Sequence, residues 1–111
     1  MSAKHKKHLD IYDRVVATNP NFERKGKTMH FTSANGYMFS QLNKAGELGV
    51  RLGKEGCKAF KTEHADADDF KSYGAKMRDY VRIPDRLLEN EELLGQLLQQ
   101  AFEHVMSLEP K

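Results

Sequence analysis

The single cysteine, Cys57, is the first side chain whose chemistry has to be considered. A thiol attacks as the thiolate, so a catalytic cysteine needs a nearby base or positive charge. Lys54 and Lys58 lie close in sequence, and Lys58 could lower the thiol pKa somewhat. No cysteine–histidine signature is present, and free cysteines are usually small buried apolar residues. We therefore expect no catalysis at Cys57, and one cysteine excludes an internal disulfide.

The stretch 64–69 carries side chains that divalent metals prefer: His64, Asp66, Asp68 and Asp69. A calcium-binding EF-hand loop would need glycine at its sixth position and glutamate at its twelfth, and this segment has neither. We expect a solvated loop, with no metal and no other cofactor. His5 and His8, three residues apart near the N-terminus, are expected to be polar surface.

No other pattern indicates an enzyme. The run 46–56 reads GELGVRLGKEG, but its glycine and lysine spacing does not match a Walker phosphate loop. No pair of carboxylates stands out for acid–base catalysis, because the acids lie among other charged residues. The sequence predicts a non-enzymatic protein.

The segment 76–84, KMRDYVRIP, indicates a contact surface instead. Alternate strand residues point to opposite faces, which separates a row of Met77, Asp79, Val81 and Ile83 from a row of Arg78, Tyr80 and Arg82. Arginine and tyrosine are favoured at the centres of protein interfaces. The predicted contact face comprises Arg51, Arg78, Tyr80, Arg82 and Tyr37, with Phe39 as another neighbour. A plain solvated face is an equally acceptable interpretation.

The elements that must position this face follow from hydrophobic periodicity. Apolar residues at helical spacing predict helices over 4–18, 54–64 and 90–108, and Asn19-Pro20 ends the first. Alternating residues predict strands over 27–33, 37–43 and 47–53, with Leu48, Val50 and Leu52 inward and Gly49, Arg51 and Gly53 outward. Asn35-Gly36 is a strong hairpin signal. Residues 70–83 predict two further strands around a turn at Gly74, and Pro84 stops the second.

This order, α-β-β-β-α-β-β-α, predicts an α+β fold of two layers. A five-stranded antiparallel sheet carries the helices on one face, and its other face is open. The 111 residues suit one domain, and we expect residues 1–4 and 109–111 to be flexible.

Charge is unevenly distributed along the chain, although the formal total is only +2. Residues 1–28 hold seven Lys/Arg and three acids, a local +4, whereas residues 84–111 hold two and six, a local −4. The ends are therefore expected either to lie together or to meet different partners. No apolar run approaches the roughly 20 residues of a membrane span. The N-terminus lacks the apolar stretch of a secretory signal, and we expect a cytoplasmic protein.

Three segments carry a likeness to a known family. Asn35-Gly36-Tyr37-Met38-Phe39, followed by Leu48-Gly49-Val50-Arg51-Leu52, is similar to a hairpin of the TfoX/Sxy N-terminal domain. The run 77–84 resembles the Met-x-x-Tyr/Trp-Val-x-Val-Pro strand of that family, and Leu93, Leu97 and Ala101 resemble its closing helix. The likeness covers residues 5–108. The family's Met-Phe-Gly-Gly stretch is replaced by RKGKTMHF, and its C-terminal domain is absent from this sequence.

The resemblance implies a small stand-alone member of that family with a secretion-chaperone-like fold and no established active site. It implies a regulatory or interaction protein, whose partner is another protein or a second copy of the chain. The alternative is a nucleic-acid-associated regulator that uses the basic N-terminus and the Arg-Tyr-Arg row. The modest basic excess and the lack of a known nucleic-acid-binding motif make this alternative the weaker one.

Overall fold

The computed structural model describes residues 3–72 and 74–111. Residues 1 and 2, part of the stretch expected to be flexible, and Tyr73, next to the predicted Gly74 turn, lie outside the described residues. The elements are, in chain order, α1 Ala3–Val16, β1 His30–Ala34, β2 Tyr37–Leu42, β3 Leu48–Arg51, α2 Gly53–Glu63, β4 Asp68–Ser72, β5 Ala75–Arg82, α3 Asp85–Leu88 and α4 Glu91–Met106.

The strands form one antiparallel sheet in the order β1-β2-β3-β5-β4. The predicted α+β class and five-stranded antiparallel sheet are confirmed. The predicted third strand was too long, because the chain turns at Gly53 (φ +81°) and enters α2 there. The short helix α3 was not predicted; it begins directly after Pro84.

The helices cover one face of the sheet. Leu48, Val50 and Leu52 point into the core beneath them, as predicted, and are each no more than 5% exposed. The core also takes one side of each long helix, including Tyr12 of α1, Phe60 of α2 and a stripe of α4 formed by Leu94, Leu97, Leu98, Ala101 and Val105. Burial of this apolar surface is the main force that holds the two layers together.

The first hairpin turns as its sequence indicates. Asn35 (φ +57°) and Gly36 (φ +83°) both adopt the left-handed conformation that a tight two-residue turn requires. Beyond the turn, Thr32 pairs with Ser40 but Ser33 pairs with Met38, so Phe39 is an extra residue in β2. This bulge turns Phe39 into the core, where its ring contacts Phe22 and Phe102.

The oppositely charged ends of the chain lie together. Lys4 pairs with Asp85 (3.1 Å), Lys7 with Glu89 (2.5 Å) and Arg14 with Glu91 (2.7 Å). Basic side chains of α1 are thus paired with acidic ones at α3 and at the start of α4. Among the described residues, no helix is long and apolar enough to cross a bilayer.

Candidate functional site

Tyr80, the centre of the predicted contact face, is buried. Its side chain is 5% exposed, its ring stacks on Phe70 (centroids 5.9 Å apart), and its hydroxyl donates a hydrogen bond to the Met38 carbonyl (2.7 Å). Burial raises the pKa of the Tyr80 phenol. The prediction that Tyr80 lies on an open face is therefore wrong. Phe39, the predicted neighbour of this face, is also fully buried, because the bulge in β2 turns its side chain into the core.

A second apolar cluster explains the burial of Tyr80. Phe70 of β4 is completely buried but lies outside the main core, with its ring against Gly49 on the face of the sheet opposite the helices. The side chain of Asn43, in the β2–β3 turn, donates a hydrogen bond to the Lys71 carbonyl (3.0 Å). This contact joins β4 to the turn, so the face predicted to be open is partly covered.

Two arginines of the predicted face, Arg51 and Arg82, have acidic partners within the chain. Arg82 contacts Glu47 (3.2 Å) and Asp85 (3.6 Å). Arg51 lies 3.8 Å from Asp79, with its guanidinium 5.3 Å from the centre of the Tyr37 ring.

Tyr37 is also held by the C-terminal tail. Its hydroxyl donates to the Glu109 carbonyl (2.7 Å), and Lys111 lies over its ring. In the described chain, only Arg78 of the five predicted residues is both exposed and without such a partner.

Arg78 opens onto a groove of about 1190 Å³ between α2 and the β4–β5 hairpin, which we term the basic groove. One wall is a single face of α2, with residues at helical spacing. The opposite wall comes from β4 and β5. The lining residues are Lys54, Cys57, Lys58, Lys61 and Thr62 on α2, and Asp69, Lys76, Arg78, Asp79 and Tyr80 opposite.

The lining of the basic groove is strongly charged. It has five cationic and two anionic side chains, a formal +3. Lys61 and Lys76 both pair with Asp69, and the hydrogen bond from Lys61 lowers the pKa of the Asp69 carboxyl. In the part of the chain that the structure describes, Lys54, Lys58 and Arg78 have no acidic partner within 4 Å. The groove therefore offers three uncompensated positive charges.

Cys57 lies at the base of this groove as a structural thiol. It is 8% exposed, and its Sγ donates a hydrogen bond to the Asp79 carbonyl (3.0 Å). Burial raises the pKa of the Cys57 thiol, and this effect outweighs the nearby lysine charge. Lys61, instead of the expected Lys58, is the lysine whose charge opposes the effect of burial.

Asp79 belongs to the predicted inward row of β5 but adopts a left-handed backbone (φ +68°). Asp69 pairs with Val81, whereas Lys71 pairs with Lys76, so Phe70 of β4 faces residues 77–80 of β5. This large bulge interrupts the alternation, and the Asp79 carboxylate contacts Arg51. A buried unpaired acid is thereby avoided.

In the acidic loop 64–69, the side chains of His64 and Asp66 contact different residues outside the loop. Asp66 accepts two hydrogen bonds from Arg86 (both 2.7 Å), and the His64 ring packs on Phe60 (centroids 4.6 Å apart). Across residues 3–72 and 74–111, no three His, Cys, Asp or Glu side chains come together as a metal-binding group.

The expectation that the two N-terminal histidines lie at the surface is wrong. His5 and His8, expected at the surface, are 4% and 6% exposed. The His5 ring lies 5.6 Å from the ring of His30, which is also buried, and His8 Nδ1 is 2.6 Å from the Gly46 carbonyl oxygen. Their burial depends on the β2–β3 turn packing against α1, a long-range contact that helical spacing does not predict.

A scan against protein-family models finds no family that matches the chain, and a search of curated proteins finds no matching sequence.

Proposed function

We propose that this protein is a non-enzymatic interaction module that binds an acidic segment of a partner protein in the basic groove. The observation that carries the proposal is the set of three cations, Lys54, Lys58 and Arg78, that line the groove without an acidic partner in the described chain. Opposed cationic and anionic surfaces favour encounter of the correct partner and disfavour similarly charged competitors.

The size and lining of the groove support a peptide ligand. Its volume of about 1190 Å³ exceeds the roughly 300–1,000 Å³ of typical small-molecule pockets. Such pockets are mostly apolar, whereas most of the residues around this groove are charged. The raised pKa of Cys57 keeps the thiol protonated near neutral pH, which supports a binding role over nucleophilic chemistry.

We further propose that the chain is a small stand-alone relative of the TfoX/Sxy N-terminal domain, with a regulatory role exerted through its protein partner. The observed order of the long helices and strands agrees with the order implied by that resemblance. Within the run 77–84, which carries one of the three motifs, Arg78, Asp79 and Tyr80 line the basic groove, and Pro84 directly precedes α3.

Nucleic acid is the weaker candidate ligand, although phosphates would also be attracted to the groove. Lys4, Lys7 and Arg14 of the basic N-terminal segment are engaged in ion pairs within the chain. Tyr80, the aromatic residue of the Arg-Tyr-Arg row, is buried and offers no exposed ring for base stacking. These two features favour a carboxylate-rich protein segment.

A charge-reversal experiment tests the proposal. Fluorescently labelled decaglutamate is titrated with wild-type protein and with the Lys54→Glu/Lys58→Glu variant. Both lysines are exposed, and glutamate at position 54 lies in the first turn of α2, where it suits the helix dipole, so folding should be preserved. We expect affinity to fall at least about tenfold, equivalent to about 1.4 kcal/mol.

The matched control is Lys6→Glu/Lys27→Glu, which changes the net charge equally at two exposed lysines outside the groove. It should bind almost as well as wild type. Equal losses in both variants would indicate a nonspecific charge effect and contradict the proposal. Tighter binding of single-stranded oligothymidylate, lost in the groove variant alone, would favour nucleic acid.

A further inference from the structure

Residues 107–111 lie against the turn of the first hairpin, and we term them the strap. The Tyr37 hydroxyl donates a hydrogen bond to the Glu109 carbonyl (2.7 Å), and the Lys111 ammonium lies over the Tyr37 ring. A Cβ at Gly36 would lie 2.6 Å from the Cβ of Lys111. The strap is therefore in direct contact with the turn between β1 and β2.

Asn35, in this turn, joins the strap to the end of α4. Its carbonyl accepts a hydrogen bond from the Lys111 backbone N–H (3.2 Å). Its side-chain amide donates to the carbonyls of Val105 and Leu108, both at 2.9 Å. Carbonyl groups at the C-terminal end of a helix lack partners within the helix, so these donors satisfy groups that the helix itself leaves open.

The pair Asn35-Gly36 also carries a reactive chemistry, deamidation. The backbone nitrogen of Gly36 can attack the side-chain carbon Cγ of Asn35 and lose its proton. A new C–N bond then forms, the Cγ–Nδ2 bond breaks, and ammonia leaves. The cyclic imide takes up water from the solvent and opens to aspartate or isoaspartate. Glycine favours the attack because it has no side chain to obstruct the approach, and Gly36 is exposed to water.

The folded turn opposes this reaction at two points. The two hydrogen bonds of the Asn35 amide hold the side chain toward the end of α4. The backbone of Asn35 is fixed in a left-handed conformation (φ +57°), because Ala34 pairs with Tyr37 across the turn. Closure of the imide requires the side chain to leave α4 and the backbone to rotate. The contacts with the strap must therefore break before Asn35 can react.

We propose that Asn35 is a deamidation site that the docked strap protects, and that its conversion to aspartate releases the strap. The product carboxylate has no N–H to donate, and it faces the carbonyl oxygens of Val105 and Leu108. Two hydrogen bonds are thus replaced by repulsion between oxygens. Opening of the strap is reversible while Asn35 is intact and becomes permanent once the amide is lost.

Protection by the strap is tested by measuring deamidation at Asn35 with peptide mapping and mass spectrometry, after incubation in mildly alkaline buffer. The variant Tyr37→Phe/Lys111→Pro removes two hydrogen-bond donors between turn and strap and leaves Asn35-Gly36 intact. We expect the folded variant to deamidate at least about fivefold faster than folded wild type. In denaturing guanidinium chloride the two rates should be equal. Equal rates in the folded proteins would overturn the proposal.

The matched control is Gly49→Ala, which overpacks the Phe70 ring on the outer face of the sheet and destabilises the fold away from the strap. Its rate of deamidation at Asn35 should stay within about twofold of wild type, because local opening of the strap does not require global unfolding. An acceleration as large as that of the strap variant would mean that global unfolding exposes Asn35, and would overturn protection by the strap.

Release of the strap is tested with two variants, Asn35→Asp and Asn35→Gly. The first is the product of the reaction, and the second removes both donors without adding charge and suits the left-handed turn. Amide hydrogen exchange over residues 105–111 should be at least about tenfold faster in both than in wild type, with little change in β3. Wild-type exchange over residues 105–111 in both variants would show that Asn35 does not hold the strap, and would overturn the proposal.

Discussion

Gly49 has no side chain on the outer face of β3, and the ring of Phe70 occupies the space that a side chain would fill. A Cβ at this position would lie 2.2 Å from two ring atoms of Phe70. We predict that Gly49→Ala destabilises the protein by about 1–3 kcal/mol through overpacking, as measured by urea denaturation. In the background of Phe70→Leu, the same change should cost clearly less. Strict additivity of the two substitutions would contradict the contact.

The buried side chain of His5 predicts a pH-dependent stability. Burial lowers the pKa of His5, with a further contribution from nearby His30, whose Nδ1 lies 3.0 Å from the Arg24 guanidinium. The unfolded chain therefore binds a proton at His5 at a higher pH than the folded chain does. The contribution of His5 to the free energy of unfolding is fully present above its unfolded pKa of about 6.5. It is lost as the pH falls from that value through the lower pKa of the folded chain.

We expect a lower urea midpoint at pH 5.5 than at pH 7.5, and a smaller difference between the two in His5→Gln. An unchanged difference in this variant would exclude His5 as the responsible group. His8→Gln provides a comparison, since His8 is also buried and lies on the same helix.

Among the elements, α1 is joined to α3 and to the start of α4 by ion pairs. Arg14 contacts both carboxylate oxygens of Glu91 at the start of α4. We predict that Arg14→Glu lowers the melting temperature modestly, because the pair is exposed and the variant juxtaposes two acids. The double variant Arg14→Glu/Glu91→Arg should recover part of the loss. No recovery would mean that Arg14 acts through packing of its alkyl chain.

The order of the strands and of the three long helices could be predicted from the sequence because its signals are local. Asn35-Gly36 specifies a tight turn, Leu48, Val50 and Leu52 alternate cleanly, and Pro84 ends a strand. The opposed charges of the termini likewise indicated their proximity, as one of two interpretations. Each of these signals is contained in a few neighbouring residues or in the composition of one segment.

The candidate site could not be predicted in this way because bulges disrupt the alternation on which its residues were chosen. The extra residue at Phe39 and the large bulge at 77–80 change which side chains face outward. Tyr80 is also buried by the ring of Phe70, ten residues earlier, which stacks on it at the face of the sheet opposite the helices. The helical spacing of Lys54, Lys58 and Lys61 predicts that they share one face of a helix. It does not predict that β5 lies opposite that face.

At the scale of the whole molecule, positive charge falls into two classes with different roles. The basic residues Lys4, Lys7 and Arg14 of α1 meet acids of the same chain and support the fold. The cations of the basic groove exceed the acids that line it, and under the proposed function this excess binds the ligand. The formal charge of +2 hides this division, because the acidic end of the chain offsets the N-terminal excess.

The most direct test of the central claim is a map of peptide binding by ¹H–¹⁵N correlation spectra during titration with unlabelled decaglutamate. If the acidic segment binds in the basic groove, saturable shifts should be concentrated in the amides of residues 54–62 and 76–80, the two walls of the groove, with little change over residues 4–14. Raising the salt concentration should weaken these shifts together. Shifts confined to the α1 residues, or to the surroundings of Tyr37, Arg51 and Arg82, would contradict binding in the basic groove.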